Sequence, residues 1–441
     1  MVTSSEIFGA LVGVGLLVGP VAAQIKPAVT LADAVERSVR VQPRMVQAAG
    51  VVRNAEARVR SSKGAYLPNL NVSSVAAESY SDGERVDVNT GQLASSTNPS
   101  FNGNISTSIE LFDGFRRGSE LRSARANRES AVESFDDAWF QQGLQTTNQF
   151  FDVLAATQLV RVREASVRRA DQQLKVSIAR LRAGAAIRSD SLRSLVTLGN
   201  ARVQLINAET QLATAEANLG RLIGLDGPAA AVDDSGFYRL TEMLDTTALR
   251  AEALARAPQV RTADAAARAA RASIGVGRAG YWPTLTLGGT SAVIGAEQRI
   301  IPSEPATAFK FRQTRQASLT LSWAVFNRFT REQNIANQTS AAEVSEANAG
   351  EARRQVLASL TTGLAELGAA RIRTGITQTS MAAAGEDVRV QQERYRLGVA
   401  TIVDVLTSQE SLTQADVDAV TARFDYLRAK AQIQALIGRQ L

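Results

Sequence analysis

The sequence predicts a mainly α-helical chain carrying four membrane-crossing β-strands and built as two tandem copies of one unit. Three observations predict it: an internal repeat across nearly the whole chain, two proline-free stretches that can each hold a very long helix, and four strand-length segments ahead of those helices, two of them of clear alternating hydropathy.

The repeat is visible by direct superposition of the sequence on itself. Ala65-Tyr66-Leu67-Pro68-Asn69-Leu70 recurs as Gly280-Tyr281-Trp282-Pro283-Thr284-Leu285, and Pro43 recurs as Pro258 in the same register. Phe112-Asp113-Gly114-Phe115 recurs as Phe326-Asn327-Arg328-Phe329 in a register shorter by one, which places a single deletion in the intervening loop. Arg182-Ala183-Gly184 to Asp190-Ser191-Leu192 then matches Arg396-Leu397-Gly398 to Asp404-Val405-Leu406, and Leu222-Ile223-Gly224 matches Leu436-Ile437-Gly438. The order in each copy is helix, strand, loop, strand, very long helix, helix.

Proline marks the divisions. None occurs between Pro99 and Pro228, and none after Pro305, so a helix can run through each stretch without losing a backbone donor. From Phe115 to about Arg182 the residues are mostly Ala, Leu, Arg, Gln and Glu, the strongest helix formers. Such a helix is on the order of 100 Å long, which no globular core requires. Its partner carries Leu198, Leu205, Leu212 and Leu219, and the second copy carries Leu412, Ala419, Tyr426 and Ile433. Seven-residue spacing in both copies predicts coiled-coil-like packing between long neighbours.

The strands show another period. Ile105, Thr107, Ile109 and Leu111 alternate with Ser106, Ser108 and Glu110, and Leu319, Leu321 and Trp323 alternate with Thr320, Ser322 and Ala324. One face suits lipid and the other water. Asn69 to Ser79 and Thr284 to Val293 are less regular but have the length of a tilted membrane strand, roughly 9–11 residues. Polar loops, Tyr80 to Asn102 and Gly295 to Thr314, join the pairs. Tyr66, Phe112, Phe115, Tyr281, Trp282, Phe326 and Phe329 gather at the strand ends nearest the helices, where aromatic rings favour a membrane interface. Four strands cannot close a barrel, and an open edge in lipid leaves backbone groups unsatisfied. The chain is therefore expected to oligomerise, three copies giving about twelve strands.

At the start, Ile7 to Val21 is apolar apart from glycines and Pro20 and is followed by Ala22-Ala23-Gln24, a signal-peptide pattern with a mature start near Gln24. Glu6 precedes it with no Lys or Arg, and the run is short of the roughly 20 residues of a membrane anchor. The expected division is a signal peptide over 1–23 and a first repeat over 24–225, with strands at about 69–79 and 103–112 and helices at about 115–183 and 189–225. A linker over 226–245 and a second repeat over 246–441 follow, the latter with strands at about 284–294 and 315–326 and helices at about 329–397 and 403–438.

Composition narrows the function. The chain has no Cys and no His, which removes the usual zinc sites, thiol nucleophiles and Ser-His-Asp relays. No cofactor or metal is expected, and the chain is not expected to be an enzyme; a carboxylate-only hydrolase would need paired acids in a cleft. The net charge of +6 is spread as Arg among Glu, Asp and Gln along helices, a solvated-face pattern with no nucleic-acid block. Gly275-Val-Gly277 has no phosphate-loop context and reads as weak helix termination before Trp282-Pro283.

Over Leu31 to Gly438 these residues resemble the TolC-type outer-membrane efflux proteins, most specifically in Tyr395-Arg396-Leu397-Gly398-Val399-Ala400-Thr401-Ile402-Val403-Asp404-Val405-Leu406. The resemblance implies a homotrimer in the outer membrane of a Gram-negative bacterium, with a long periplasmic extension and a twelve-stranded barrel in outer-membrane lipid. It implies partners as well: a periplasmic adaptor (membrane-fusion) protein and an inner-membrane pump or ABC transporter. The chain would be a passive exit duct for efflux or type I secretion, gated at its periplasmic tip. Gly184 and Gly398 would form the helix-hairpin tips. Asp404 matches an aspartate lining the pore constriction, and the second acidic position of that ring falls at Thr407. Tyr395 and Asp190 match a latch between helix pairs, whose arginine falls at Ala400, facing Ser189. Asp190 and Asp404 equally suit helix capping, and that alternative stays open for Asp190. A soluble periplasmic coiled-coil adaptor or scaffold is the competing reading; it accounts for the helices and leaves the strands unexplained.

Overall fold

The computed structural model describes residues 26–86, 93–238, 246–297 and 309–439. The expected signal peptide, 1–23, and the start at Gln24 lie outside them, as do 239–245 of the linker and the central parts of both strand-connecting loops.

The first repeat runs β1 (Ala28–Val29), α1 (Leu31–Val41), α2 (Pro43–Gly64), β2 (Asn69–Val86), β3 (Leu93–Phe112), α3 (Arg116–Arg182) and α4 (Arg188–Leu222). The linker carries β4 (Ala230–Ala231), and the second repeat runs α5 (Thr246–Arg256), α6 (Pro258–Arg278), β5 (Thr284–Glu297), β6 (Phe309–Ser322), α7 (Thr330–Arg396) and α8 (Ile402–Ile437). Pro43 and Pro258 each open a helix whose preceding residue, Gln42 or Ala257, is non-helical. Proline disfavours helical geometry in the residue before it, so each leading helix is broken in two at the same place. β1 and β4 form a small parallel pair that ties the start of the first repeat to the linker.

The four long strands form one antiparallel sheet in the order β2-β3-β5-β6. Its register lines up the apolar positions. Val72 faces Ile105, Ile109 faces Leu287, and Leu287 faces Leu319, so Leu70, Val72, Ile105, Ile109, Leu287 and Leu319 share a face. Asn69, Asn71, Ser106, Ser108, Thr286 and Thr320 share the other. A bulge between Glu110 and Phe112 lets Phe112 pair with Leu285 and so join the apolar face. The strands exceed expectation at their outer ends. β2 continues to Val86 and β3 begins at Leu93, although residues 80–102 read as a loop. The polar run Ser-Thr-Asn-Pro-Ser carries no alternation, yet antiparallel pairing needs only backbone groups. β6 starts at Phe309 and ends at Ser322, so Trp323 and Phe326 lie in the connector to α7 and not in the strand.

The helices keep the same lateral order as the strands from which they continue. Near the sheet, α6 lies between α3 and α7, with α2 on the far side of α3; at the other end α4 packs on α3, α3 on α8, and α8 on α7. α3 and α7 are each 67 residues long, about 100 Å at 1.5 Å per residue. The heptad residues Leu198, Leu219, Ala419, Tyr426 and Ile433 are buried. Gly275 and Gly277 fall in the last turn of α6, which ends at Arg278 as expected, and a Cβ at Gly277 would come 2.8 Å from Gln338 Oε1. They let α6 approach its neighbours closely. Ion pairs hold α6 on both sides: Arg268 to Glu129 at 2.7 Å and Arg261 to Glu133 at 2.7 Å on α3, Asp264 to Arg353 at 2.6 Å and Arg271 to Glu346 on α7.

Each strand-to-helix junction turns through two left-handed residues, Gly114-Phe115 and Arg328-Phe329, with φ between 58° and 66°. Asp113 braces the first: its Oδ2 accepts from Arg117 N–H at 2.7 Å and Nε–H at 2.9 Å. At Gly114 a Cβ would stand 2.6 Å from Trp282 Cβ and 2.7 Å from the Ala279 carbonyl. The main core lies midway along the helices, where Phe150, Leu219, Val356, Leu360, Phe424 and Ile433 are all fully buried. Phe424 packs on Phe151 and Tyr238, with ring centroids 6.5 and 6.4 Å apart.

Phe424→Ala is expected to cost about 3–5 kcal/mol, since it empties the centre of this cluster, read as a lower midpoint of thermal unfolding. Gly114→Ala should also lower the midpoint, and by more than Gly184→Ala. Both impose a left-handed φ on alanine, about 1–2 kcal/mol, but Gly184 has open space around it while Gly114 has none.

Candidate gate at the hairpin tips

At the end farthest from the sheet, each repeat closes in a helix hairpin. Gly184 and Gly398 have φ of 73° and 79° and follow the last turns of α3 and α7. The Ala185 N–H donates to the Arg180 carbonyl and the Gly184 N–H to Leu181; Val399 and Gly398 repeat this on Arg394 and Tyr395. These are Schellman closures, which place glycine at the left-handed position.

The hairpins differ in how the following helix starts. Thr401 and Asp404 form a capping box on α8: Asp404 Oδ2 accepts from the Thr401 N–H at 2.7 Å and hydroxyl at 2.8 Å, and Thr401 Oγ1 accepts from the Asp404 N–H at 3.3 Å. The Thr401 amide, then its hydroxyl, hold the Asp404 carboxyl below the usual aspartate range. Asp404 and Thr407 are exposed, while Ile402 and Val405 beside them are buried, so the two expected ring positions share one solvent-facing side of α8. In α4 the position equivalent to Thr401 is Ile187, which makes no side-chain cap. Asp190 thus sits in the first turn without the capping partner that Asp404 has. Ser189 is exposed beside it.

Tyr395 is brought next to Asp190 but not bonded to it. Its hydroxyl is buried with no hydrogen-bond partner among the described residues of this chain, Asp190 included. Burial pushes the pKa of that hydroxyl upward; Arg180 opposes the shift and Asp190 adds to it. The connection is made by Arg180 instead. Its guanidinium lies 4.4 Å from the centre of the Tyr395 ring and donates to the Tyr395 carbonyl, a cation–π contact joining the end of α3 to the end of α7. Ala400 packs against Tyr395, Ile402 and Val405 in a small tip core, so the expected arginine position is occupied by packing. Sequence reading missed Arg180 because it lies one turn before the glycine motif, on the other hairpin. Above the tip the seam between α3 and α8 is polar: Arg169 donates to Thr413 at 3.0 Å and approaches Asp416 at 3.4 Å, and the side-chain amides of Gln173 and Gln409 are buried without partners.

At the opposite end, the seven aromatic residues converge on the sheet–helix junction. Phe112, Phe115 and Trp282 form an edge-to-face chain with centroids 5.5 and 6.1 Å apart, and Phe326 meets Phe329 at 5.5 Å. Tyr66 lies under Arg117 at 4.9 Å and Tyr281 under Arg331 at 4.7 Å. Trp282, Phe326 and Phe329 are more than half exposed, forming a band below the apolar sheet face as an interfacial girdle does.

Known proteins share this architecture and this sequence pattern. The solved structure of the outer membrane protein VceC from Vibrio cholerae superposes with a TM-score of 0.73 over 93% of this chain and 96% of that one, at 14% identity. That of CusC gives 0.75 over 93% and 92%, at 16% identity. In sequence, the pyoverdine export outer membrane protein OpmQ of Pseudomonas putida is 26% identical over 89% of this chain and 82% of its own length. Protein CyaE of Bordetella pertussis is 24% identical over 70% and 65%. The outer membrane efflux protein family matches twice, at residues 36–225 and 249–439, one match to each repeat, and the soluble-scaffold alternative falls with it. The chain belongs to the outer membrane efflux protein family: it is an outer-membrane exit duct for efflux or secretion, with its helices extending into the periplasm.

Proposed function

We propose that three copies of this chain close into one continuous duct, gated at the hairpin tips and opened by a periplasmic adaptor and an inner-membrane pump. The observation that carries this reading is that the sheet ends in two unpaired edges, β2 and β6. In lipid those edges need partners, and β6 of one copy can pair with β2 of the next. The helices support it. At the tip end the outermost helices are α4 and α7, and Leu192, Val196, Val203 and Ile206 on one and Ile372 and Ile376 on the other are more than half exposed. A cyclic assembly covers both stripes with each other.

In that assembly the tips converge on the axis. Asp404 supplies the ring charge and Thr407, one turn on, leaves it weaker than a double acidic ring. Arg180 takes the latch role with Tyr395 and Asp190, and Ser189 lies beside them without the arginine the resemblance expected. The polar seam at Arg169, Thr413 and Asp416 supports sliding of one hairpin past the other, since polar contacts there can be exchanged for water at small net cost. The paired aromatics near the sheet fix the depth of the barrel in outer-membrane lipid.

Planar-bilayer recording tests the gate. Asp404→Ala should reduce cation selectivity and weaken block by multivalent cations, because the focusing charge is gone; Thr407→Asp should strengthen both. Unchanged selectivity in an intact Asp404→Ala channel would reduce Asp404 to a helix cap. Arg180→Ala should raise the resting conductance more than Tyr395→Phe, because the guanidinium makes the connection and the phenol hydroxyl makes none. Equal effects, or a larger effect of Tyr395→Phe, would remove Arg180 from the latch.

A further inference from the structure

We infer that the seam joining the two repeats inside one chain is copied across the boundary between chains, so that Arg53 of one copy pairs with Glu343 of the next. The inference rests on the closed trimer proposed above and adds to it the residues that set its register. Within the chain, α6 of the second repeat packs on α3 of the first, and Arg268 meets Glu129 at 2.7 Å. The register that aligns Pro258 with Pro43 carries Arg268 back to Arg53, and the register that aligns Phe112 with Phe326 carries Glu129 forward to Glu343. Both residue types are retained. Arg53 lies on α2 and Glu343 on α7, the outermost helices near the sheet, and both are exposed. If six repeats surround one axis, α2 of each copy stands to α7 of its neighbour as α6 stands to α3.

A second position gives an independent check. Inside the chain Arg261 of α6 meets Glu133 at 2.7 Å and Asp136 at 3.5 Å. The equivalents across the boundary are Val46 for the arginine and Ala347 and Gly350 for the two acids. All three positions change together, from a charged cluster to an apolar side chain against two small ones, and Val46 is 54% exposed in the isolated chain. A lone change would have left an unpaired charge on the boundary, and none of the three does. Glu56 and Arg271, also equivalent, follow a different rule. Each pairs within its own repeat, Glu56 with Arg128 and Arg271 with Glu346, with reversed polarity. The polarity is therefore free to change where the pair is internal to one repeat and kept at Arg53 and Glu343, where it must match the next.

Charge reversal and cross-linking test this. Arg53→Glu and Glu343→Arg, each alone, should speed thermal dissociation of the detergent-purified trimer roughly threefold or more, since three exposed pairs are turned to like charges at once. The double variant should recover most of the loss. Because the chain has no cysteine, the pair Arg53→Cys with Glu343→Cys can be bridged by a short bismaleimide, giving covalent dimers and trimers on denaturing gels. Arg268→Cys with Glu129→Cys, bridged by the same reagent, should remain a monomer of altered mobility. A protein that cross-links as a trimer through cysteines placed on β2 and β6, while the 53/343 pair yields only monomer and the charge swap gives no recovery, would overturn the seam and leave the trimer standing. Failure of the β2/β6 bridge as well would overturn both.

Discussion

The backbone hydrogen bonds of the four-stranded sheet are the constraint on which the rest of this molecule depends. Within the sheet each strand is paired along its length, and the register places one apolar face across all four strands. At β2 and β6 the pairing stops. In water such an edge is tolerable; in hydrocarbon each unsatisfied group costs several kcal/mol. An apolar face that calls for lipid and two edges that lipid cannot satisfy are compatible only in a closed barrel, which four strands cannot make. The helices inherit this condition, because α2, α3, α6 and α7 continue from the strands in the same lateral order. Closing the sheet closes the helical wall below it.

Duplication makes that closure simple to encode. A chain of two similar units already contains one unit-to-unit seam, and the structure shows how it is held: the Arg268–Glu129 ion pair, Gly275 of α6 set against Ser119 of α3, and Gly114 fitted against Trp282. The two copies diverge where their surroundings do. Asp113 braces Arg117 in the first junction, whereas Asn327 takes that place in the second and Arg331 turns to three backbone carbonyls instead. At the tips, Thr401 caps α8 while Ile187 leaves α4 uncapped, so the hairpins are unequal in charge placement.

The repeat, the four long helices and the alternating strands were legible because each leaves a periodic trace: a register held from one half of the chain to the other, a seven-residue spacing, a two-residue alternation. What lay beyond reach had no such trace. The outer parts of β2 and β3 are mostly polar in sequence, and backbone pairing leaves no side-chain pattern to read. Gly275 and Gly277 mark the end of α6, but their second role, letting Ser119 and Gln338 of the flanking helices come near, is tertiary. Arg180 was invisible for the same reason: its partner, Tyr395, is on the other repeat. The Asp404 position was readable, but whether a first-turn aspartate caps, latches or lines a pore depends on the residue three places earlier and on what stands opposite. Thr401 and Ile187, equivalent in the repeat, settle the capping half of that question in opposite ways.

In the proposed duct the free edges of this chain are closed by copies of itself. Native mass spectrometry of the protein released from detergent micelles counts those copies directly. A single species of three chains is expected, with monomer appearing only as structure is lost. A folded monomer, retaining its helical signal and carrying both sheet edges unpaired, would contradict it.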